Sequence, residues 1–131
     1  SILFIDIDNF KNVNDTYGHL VGSATLCEVG QIFGKQVRDS DVIVRYGGDE
    51  FVIILPETPL EGAQVIAERL RQRVEHFLFS GGRDLKLRLT ISIGIASFPE
   101  HSMTAEGLLQ KADAAMYAAK EESKNKIMIA G

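Results

Sequence analysis

Apolar residues follow two rhythms along this chain. Ile2-Leu3-Phe4-Ile5 runs apolar without alternation, as a strand covered on both faces does, and delivers Asp6-Ile7-Asp8 at its end. Asp41-Val42-Ile43-Val44 and Phe51-Val52-Ile53-Ile54-Leu55 read as two further strands, joined around Gly47-Gly48, a dipeptide suited to the positive φ angles of tight hairpins. Leu87 to Ala96 sets Leu87, Leu89, Ile91, Ile93 and Ile95 against polar or small residues, which predicts a strand with one buried face, and Ile127-Met128-Ile129 predicts a last short strand. Helical spacing occupies the intervals. One helix is expected from about Gly22 to Val37, with Leu26, Val29, Ile32 and Phe33 inward and Gly30 and Gly34 as weak points. Thr58-Pro59-Leu60-Glu61 reads as a capping box opening a second, whose Ala63, Ile66, Ala67, Leu70, Val74 and Phe77 form the core face. A third runs from Thr104 to about Glu122. The order strand, helix, hairpin, helix, strand, helix, strand is an alternating α/β layout.

Composition sets the scale. With 131 residues, 45% hydrophobic and 24% charged, the chain suffices for one domain with a real core and is too short for two. A net charge of −4 argues against binding nucleic-acid polymers or membrane surfaces through bulk charge, so an anionic ligand must be held by local lysines, backbone amides and metal. The single cysteine, Cys27, has no internal partner and is expected to pack on the apolar face of the first helix. No apolar run reaches membrane-spanning length and no signal peptide is visible, which implies a cytoplasmic domain, cut from a parent that is either soluble or membrane-anchored.

Candidate chemistry collects at two places. Arg45-Tyr46-Gly47-Gly48-Asp49-Glu50-Phe51 carries two adjacent carboxylates at a hairpin tip, where a lone motif of this kind is an ordinary turn with solvated acids. Asp6 and Asp8 end a buried strand, a costly position unless something pairs them, and a divalent cation is the natural partner. Lys11 follows within a short loop and could hold phosphate. His76 and His101 belong to no motif.

Asp6-Ile7-Asp8-Asn9-Phe10-Lys11-Asn12-Val13-Asn14-Asp15-Thr16-Tyr17-Gly18-His19, then Arg45 to Phe51, then Ala112 to Lys120 with Asn125, resemble in order the signatures of the GGDEF domain, the diguanylate cyclase family. The resemblance implies a βαββαβ-like, mostly antiparallel sheet with packed helices, similar to adenylyl cyclase catalytic domains and polymerase palms. It implies a Mg²⁺ site, also open to Mn²⁺, formed by Asp6, the backbone carbonyl of Ile7 and Asp49, with Glu50 as a second ligand or outer partner. Asp49 is then also the candidate proton acceptor. Lys11, Lys120 and the amides of Asn9 and Phe10 are implied on the phosphates, Asn14 on the base, and His19 beside the substrate. One site holds one nucleotide while the product contains two, so the resemblance implies a catalytic homodimer.

Three departures from the family pattern matter. Gly18-His19-Leu20-Val21-Gly22 is followed by Ser23, where the family usually has an aspartate that accepts from guanine. Serine both donates and accepts, which suits adenine as well as guanine and resembles the promiscuous branch that joins ATP and GTP into cyclic GMP-AMP and also makes cyclic di-GMP. The alternatives are a Ser23 that only caps a helix, in an ordinary GTP-specific diguanylate cyclase, and a silent module that binds cyclic dinucleotides. Lys124 replaces an arginine, keeping the charge without the bidentate fork. The helix and Asp-x-Leu-Thr turn that usually precede the first strand are not in the sequence. Finally, Arg38-Asp39-Ser40-Asp41 stands where the family places its inhibitory product site, so Arg38 and Asp41, joined by Arg69, are candidates to bind a cyclic dinucleotide.

Overall fold

The computed structural model describes residues 1–131. Its elements are β1 (Ile2–Ile7), α1 (Phe10–Tyr17), α2 (His19–Gln36), β2 (Val42–Arg45), β3 (Glu50–Ile54), α3 (Leu60–Glu75), β4 (Ile91–Ala96), α4 (Ala105–Glu122) and β5 (Ile127–Ile129). The five strands form one sheet in the order β2-β3-β1-β4-β5. β1 is central and antiparallel to both neighbours, and only the β4–β5 pair is parallel. The fold is the expected mixed α/β one with a mostly antiparallel sheet.

Alternation along the three inner strands decides which side chains meet. Leu3, Ile5 and Ile7 of β1, Phe51 and Ile53 of β3, and Ile91, Ile93 and Ile95 of β4 point to one face, where Val29 and Phe33 of α2 and Ala67, Leu70 and Val74 of α3 cover them. The opposite face carries Phe4, Val52 and Ala96 under Leu108, Ala112 and Met116 of α4. Asp6 and Glu50 share the parity of Phe4 and Val52 and are register partners across β1 and β3, so both stand on the α4 side. Gly94 lets α4 approach: a Cβ there would lie 2.0 Å from the Ala112 carbonyl oxygen and 2.4 Å from the Met116 nitrogen.

Several local expectations are corrected. Lys11 sits on the short helix α1, not in a loop. The following helix starts at His19, three residues before Gly22, because Gly18 at φ 90° ends α1 and opens α2. Cys27 is exposed, on the side of α2 opposite Leu26, Val29 and Phe33. Thr58 caps nothing: Pro59 occupies the cap of α3, and the Thr58 hydroxyl donates to the Pro56 carbonyl and accepts from Arg38. The side-chain cap belongs instead to Thr104, whose Oγ1 accepts from the Gly107 amide at 3.0 Å. Phe77 lies past the end of α3 and is partly exposed, stacked edgewise on Phe79. The ladder of β4 begins at Ile91, since its partner β1 gives way to α1 just beyond Asp8; Leu87 pairs with Phe79 instead.

Candidate active site

The Gly-Gly tip is not a positive-φ hairpin turn. Neither Gly47 nor Gly48 has a positive φ, and the loop closes through the Tyr46 and Gly47 amides, which both donate to the Glu50 carbonyl. A Cβ at position 47 would lie 2.8 Å from Glu50 Oε1, so a larger residue there turns the Glu50 carboxylate aside. Arg45 donates to the Gly48 carbonyl at 2.8 Å, and the Ile7 amide donates to the Asp49 carbonyl at 3.1 Å. These bonds fix the tip against the end of β1.

On the α4 side, Lys120 Nζ lies 3.2 Å from Asp6 Oδ2 and 3.6 Å from Asp8 Oδ1. Asp8 is almost wholly buried and fully engaged: Ser92 Oγ donates to Oδ1 at 2.7 Å, and Thr90 Oγ1 and the Asn125 amide donate to Oδ2 at 2.7 and 2.9 Å. A buried carboxylate satisfied in this way is an anchor for Lys120. Asp6 differs, because its Oδ1 is buried without a hydrogen-bond partner. Burial pushes the Asp6 carboxyl up to about 7, with Lys120 opposing the rise and Asp49 and Glu50 adding to it. Glu50 is raised as well, first by burial, then by Asp113 and Asp49.

No three His, Cys, Asp or Glu side chains converge closely enough to cage an ion by themselves. That is compatible with magnesium, which usually takes one or two carboxylates and completes its shell with water and phosphate oxygens. The unpartnered Oδ1 of Asp6, among carboxyls whose negative charges disfavour one another, is the feature a cation would complete.

Beside the tip opens a cavity of about 350 Å³ between α1, α2 and the hairpin, bordered among others by Lys11, Asn14, His19, Ser23, Arg45 and Asp49. Phe10 is buried and forms its wall. A Cβ on Gly22, at its floor, would lie 1.8 Å from Asn14 Oδ1, so a larger residue there displaces the Asn14 side chain. Ser23 is exposed within α2, five residues into the helix, so the helix-cap reading of Ser23 is overturned. Asn9, in the left-handed region at φ 58°, accepts from Lys124 Nζ at 2.9 Å. Arg38, Asp41 and Arg69 border no part of this cavity. Arg38 pairs with the fully buried Asp41 carboxylate at 3.1 Å and donates to the Pro56 carbonyl and Thr58 Oγ1, while Arg69 donates to the Gln36 carbonyl. Sequence reasoning missed Arg45 on the cavity and the donors that fix Asp8. Alternation from Ile91 already places Ser92 on the Asp6 side, so that donor was findable.

This is a sheet-borne acidic cluster with a polar cleft beside it, and comparison with known proteins identifies the class. Residues 1–126 match the family described as diguanylate cyclase, GGDEF domain, and the chain belongs to that family. Diguanylate cyclase A of Treponema denticola is 40% identical over 131 residues, covering 98% of this chain and 34% of that protein. The GGDEF domain of YfiN from Pseudomonas aeruginosa superposes with a TM-score of 0.86 at 37% identity, covering 99% of this chain and 81% of that one. The GGDEF domain of DgcB from Caulobacter crescentus, solved in complex with c-di-GMP, gives 0.85 at 27% identity, covering 98% and 75%. The chain spans about a third or less of the length of the curated relatives it matches. No helix is long and apolar enough to cross a membrane.

Proposed function

We propose that this domain condenses two molecules of GTP into cyclic di-GMP, each 3′-oxygen displacing pyrophosphate from the other nucleotide's α-phosphate and each hydroxyl proton leaving to a base. The observation that carries the reading is the double position of Asp49: it borders the nucleotide-sized cavity, and its neighbour Glu50 stands opposite the unsatisfied Asp6. A nucleotide with its base near Asn14 and Ser23 therefore runs its phosphates toward the carboxylates, passing Lys11. The relatives named as diguanylate cyclases favour GTP as substrate.

Asp6, Asp49 and the Ile7 carbonyl are the groups that would hold a divalent cation, with Glu50 beside them. GGDEF diguanylate cyclases are generally dependent on such a metal, Mg²⁺ or Mn²⁺, and when bound it supplies neutralisation of phosphate charge and acidification of the attacking hydroxyl. Lys11 binds phosphate as a mobile point charge. Lys120, anchored by Asp8, supplies a second cation. Asp49, on the cavity, is the candidate acceptor of the hydroxyl proton. Two domains must face one another for the second bond to form, so the active species is a homodimer.

A second reading, acceptance of ATP beside GTP to yield cyclic GMP-AMP, is favoured by Ser23 lining the cavity. A hydroxyl there leaves both purines able to bind, whereas a carboxylate selects the guanine N–H donors. On this reading Ser23→Asp raises the preference for GTP over ATP by about tenfold or more in competition turnover. An unchanged preference would remove Ser23 from base selection.

Product control is proposed at Arg38, whose side chain remains about half exposed (56%) while it holds Asp41. Arg69 flanks the same end of α2 through Gln36. With the Asp41 carboxylate buried and engaged by the Arg38 amide and side chain, the arginine is the group offered to a cyclic dinucleotide. Arg38→Ala should weaken product inhibition at least about tenfold, as loss of a charged hydrogen-bond donor does. Inhibition equal to wild type, in a protein that stays folded, would contradict the assignment.

A further inference from the structure

Three non-glycine residues adopt left-handed backbone near one point of the site: Asn9 at φ 58°, Lys124 at φ 57° and Asn125 at φ 47°. Such conformations persist only where surrounding contacts hold them. Here the contacts can be traced. The Asn125 amide donates to Asp8 Oδ2, and Lys124 Nζ donates to Asn9 Oδ1. The Asn125 side chain reaches the other way, to α3, where its Oδ1 accepts from Arg71 Nη1 at 2.9 Å and its Nδ2 donates to Glu75.

Arg71 is itself held. Its Nε and Nη2 donate to the two oxygens of Glu68 at 2.9 and 2.7 Å, a bidentate pair, and Nη1 also contacts Glu75. The side chain is only 17% exposed, unlike a solvated surface arginine. The guanidinium thus closes a chain of bonds from the outer side of α3, through the Asn125 amide group, to the buried carboxylate that anchors Lys120.

We propose that Arg71 and Asn125 form a clamp that positions the phosphate-binding end of the active site, setting Lys124 directly and Lys120 through Asp8. They are positioning residues, since neither borders the nucleotide cavity. The inference rests on the cyclase reading for its choice of ligand. Without the clamp, two consecutive left-handed residues rest only on the Asn125 amide bond to Asp8, the Lys124 amide bond to the Ala119 carbonyl and the Lys124 side-chain bond to Asn9, so the 123–125 turn loosens and the two lysines lose their common register. The base end, built from α1 and α2, is left as it was.

That division supplies a readout which general destabilisation would not reproduce. Binding of GTP and of GMP to the whole domain, with Mg²⁺ present, is to be measured by calorimetry for wild type, Arg71→Ala, Arg71→Lys, Asn125→Ala and the double alanine variant. Arg71→Ala and Asn125→Ala are expected to weaken GTP about tenfold while leaving GMP within about twofold. The double variant should be no worse than the worse single one, because both break one chain of bonds. Arg71→Lys should recover only part of the loss, lacking the bidentate fork. Equal losses for GTP and GMP, or additive losses in the double variant, overturn the clamp while leaving the cyclase reading intact. A wild-type protein that binds no GTP overturns both.

Discussion

Asp6→Asn should abolish turnover and at the same time make the metal-free protein more stable at neutral pH. The two effects have one origin. Asp6 is a carboxyl placed where burial and neighbouring acids disfavour its charge, and its Oδ1 has no hydrogen-bond partner among the protein's own groups. Its folded value of about 7 lies above the ordinary aspartate value of 3.8, so the stability linked to its neutral form is fully present below pH about 4 and is lost as pH rises through about 7. Asparagine keeps the shape without the charge. In the presence of chelator, the variant should therefore match wild type near pH 4 and exceed it above pH 7. The gain should be about 1–2 kcal/mol, well below the unscreened conversion of such a shift, because the group lies near solvent. Addition of Mg²⁺ should then stabilise wild type and not the variant. Turnover should fall at least about 1,000-fold, equivalent to about 4 kcal/mol of barrier, since the variant forfeits a charged ligand for the cation. Chemical denaturation across pH, paired with a pyrophosphate-release assay, reads both halves. A variant that is both active and no more stable would contradict the assignment.

Gly94→Ala should be the most damaging single methyl added to the core. The clash is with backbone on the facing helix, at 2.0 Å from the Ala112 oxygen and 2.4 Å from the Met116 nitrogen, so no rotamer change relieves it. Either α4 lifts from the sheet or β4 bends. A cost of about 3 kcal/mol or more follows, with a fall in Tm on the order of 10 °C. Lys120 rides on α4, so the surviving folded fraction should also show weaker nucleotide binding. Gly34→Ala is the matched control, because a Cβ there meets nothing within 4 Å in a helical segment. It should stabilise by roughly 0.5–1 kcal/mol. Thermal melts of the two variants side by side check the contrast, and a Gly94→Ala protein melting with wild type would show that α4 is not packed as described.

The legible parts of this fold were those where one residue's environment repeats at fixed spacing. Ile91, Ile93 and Ile95, or Ala63, Ala67, Leu70 and Val74, announce their faces because a sheet or helix buries every second or every third to fourth position. The short helix α1 was not legible, since only Phe10 and Val13 are buried in it and the asparagines and aspartate read as loop. The capping box at Thr58 misled because the hydroxyl is claimed by Arg38 and Pro56, partners far from the helix in sequence or behind it. Within the site, the resemblance named residues that the fold brings near one another, Lys11, Asn14, His19, Ser23 and Asp49 around one cavity and Asp6 opposite Glu50, yet it said nothing of how they are held. Asp8 becomes a fixed anchor only through Thr90, Ser92 and Asn125, which lie 82 to 117 positions away. The Gly-Gly tip shows the same limit: neither glycine has a positive φ, and what a side chain at 47 meets is the Glu50 carboxylate.

The most direct test of the central claim is to incubate the domain with Mg²⁺ and GTP alone, ATP alone, or both, over a range of protein concentrations, and to separate and weigh the products. Cyclic di-GMP is expected from GTP, with specific activity rising with protein concentration as two domains meet, and mixed cyclic GMP-AMP when ATP is present if Ser23 admits adenine. Absence of any cyclic dinucleotide at the highest concentration, from folded protein that binds GTP, would contradict it.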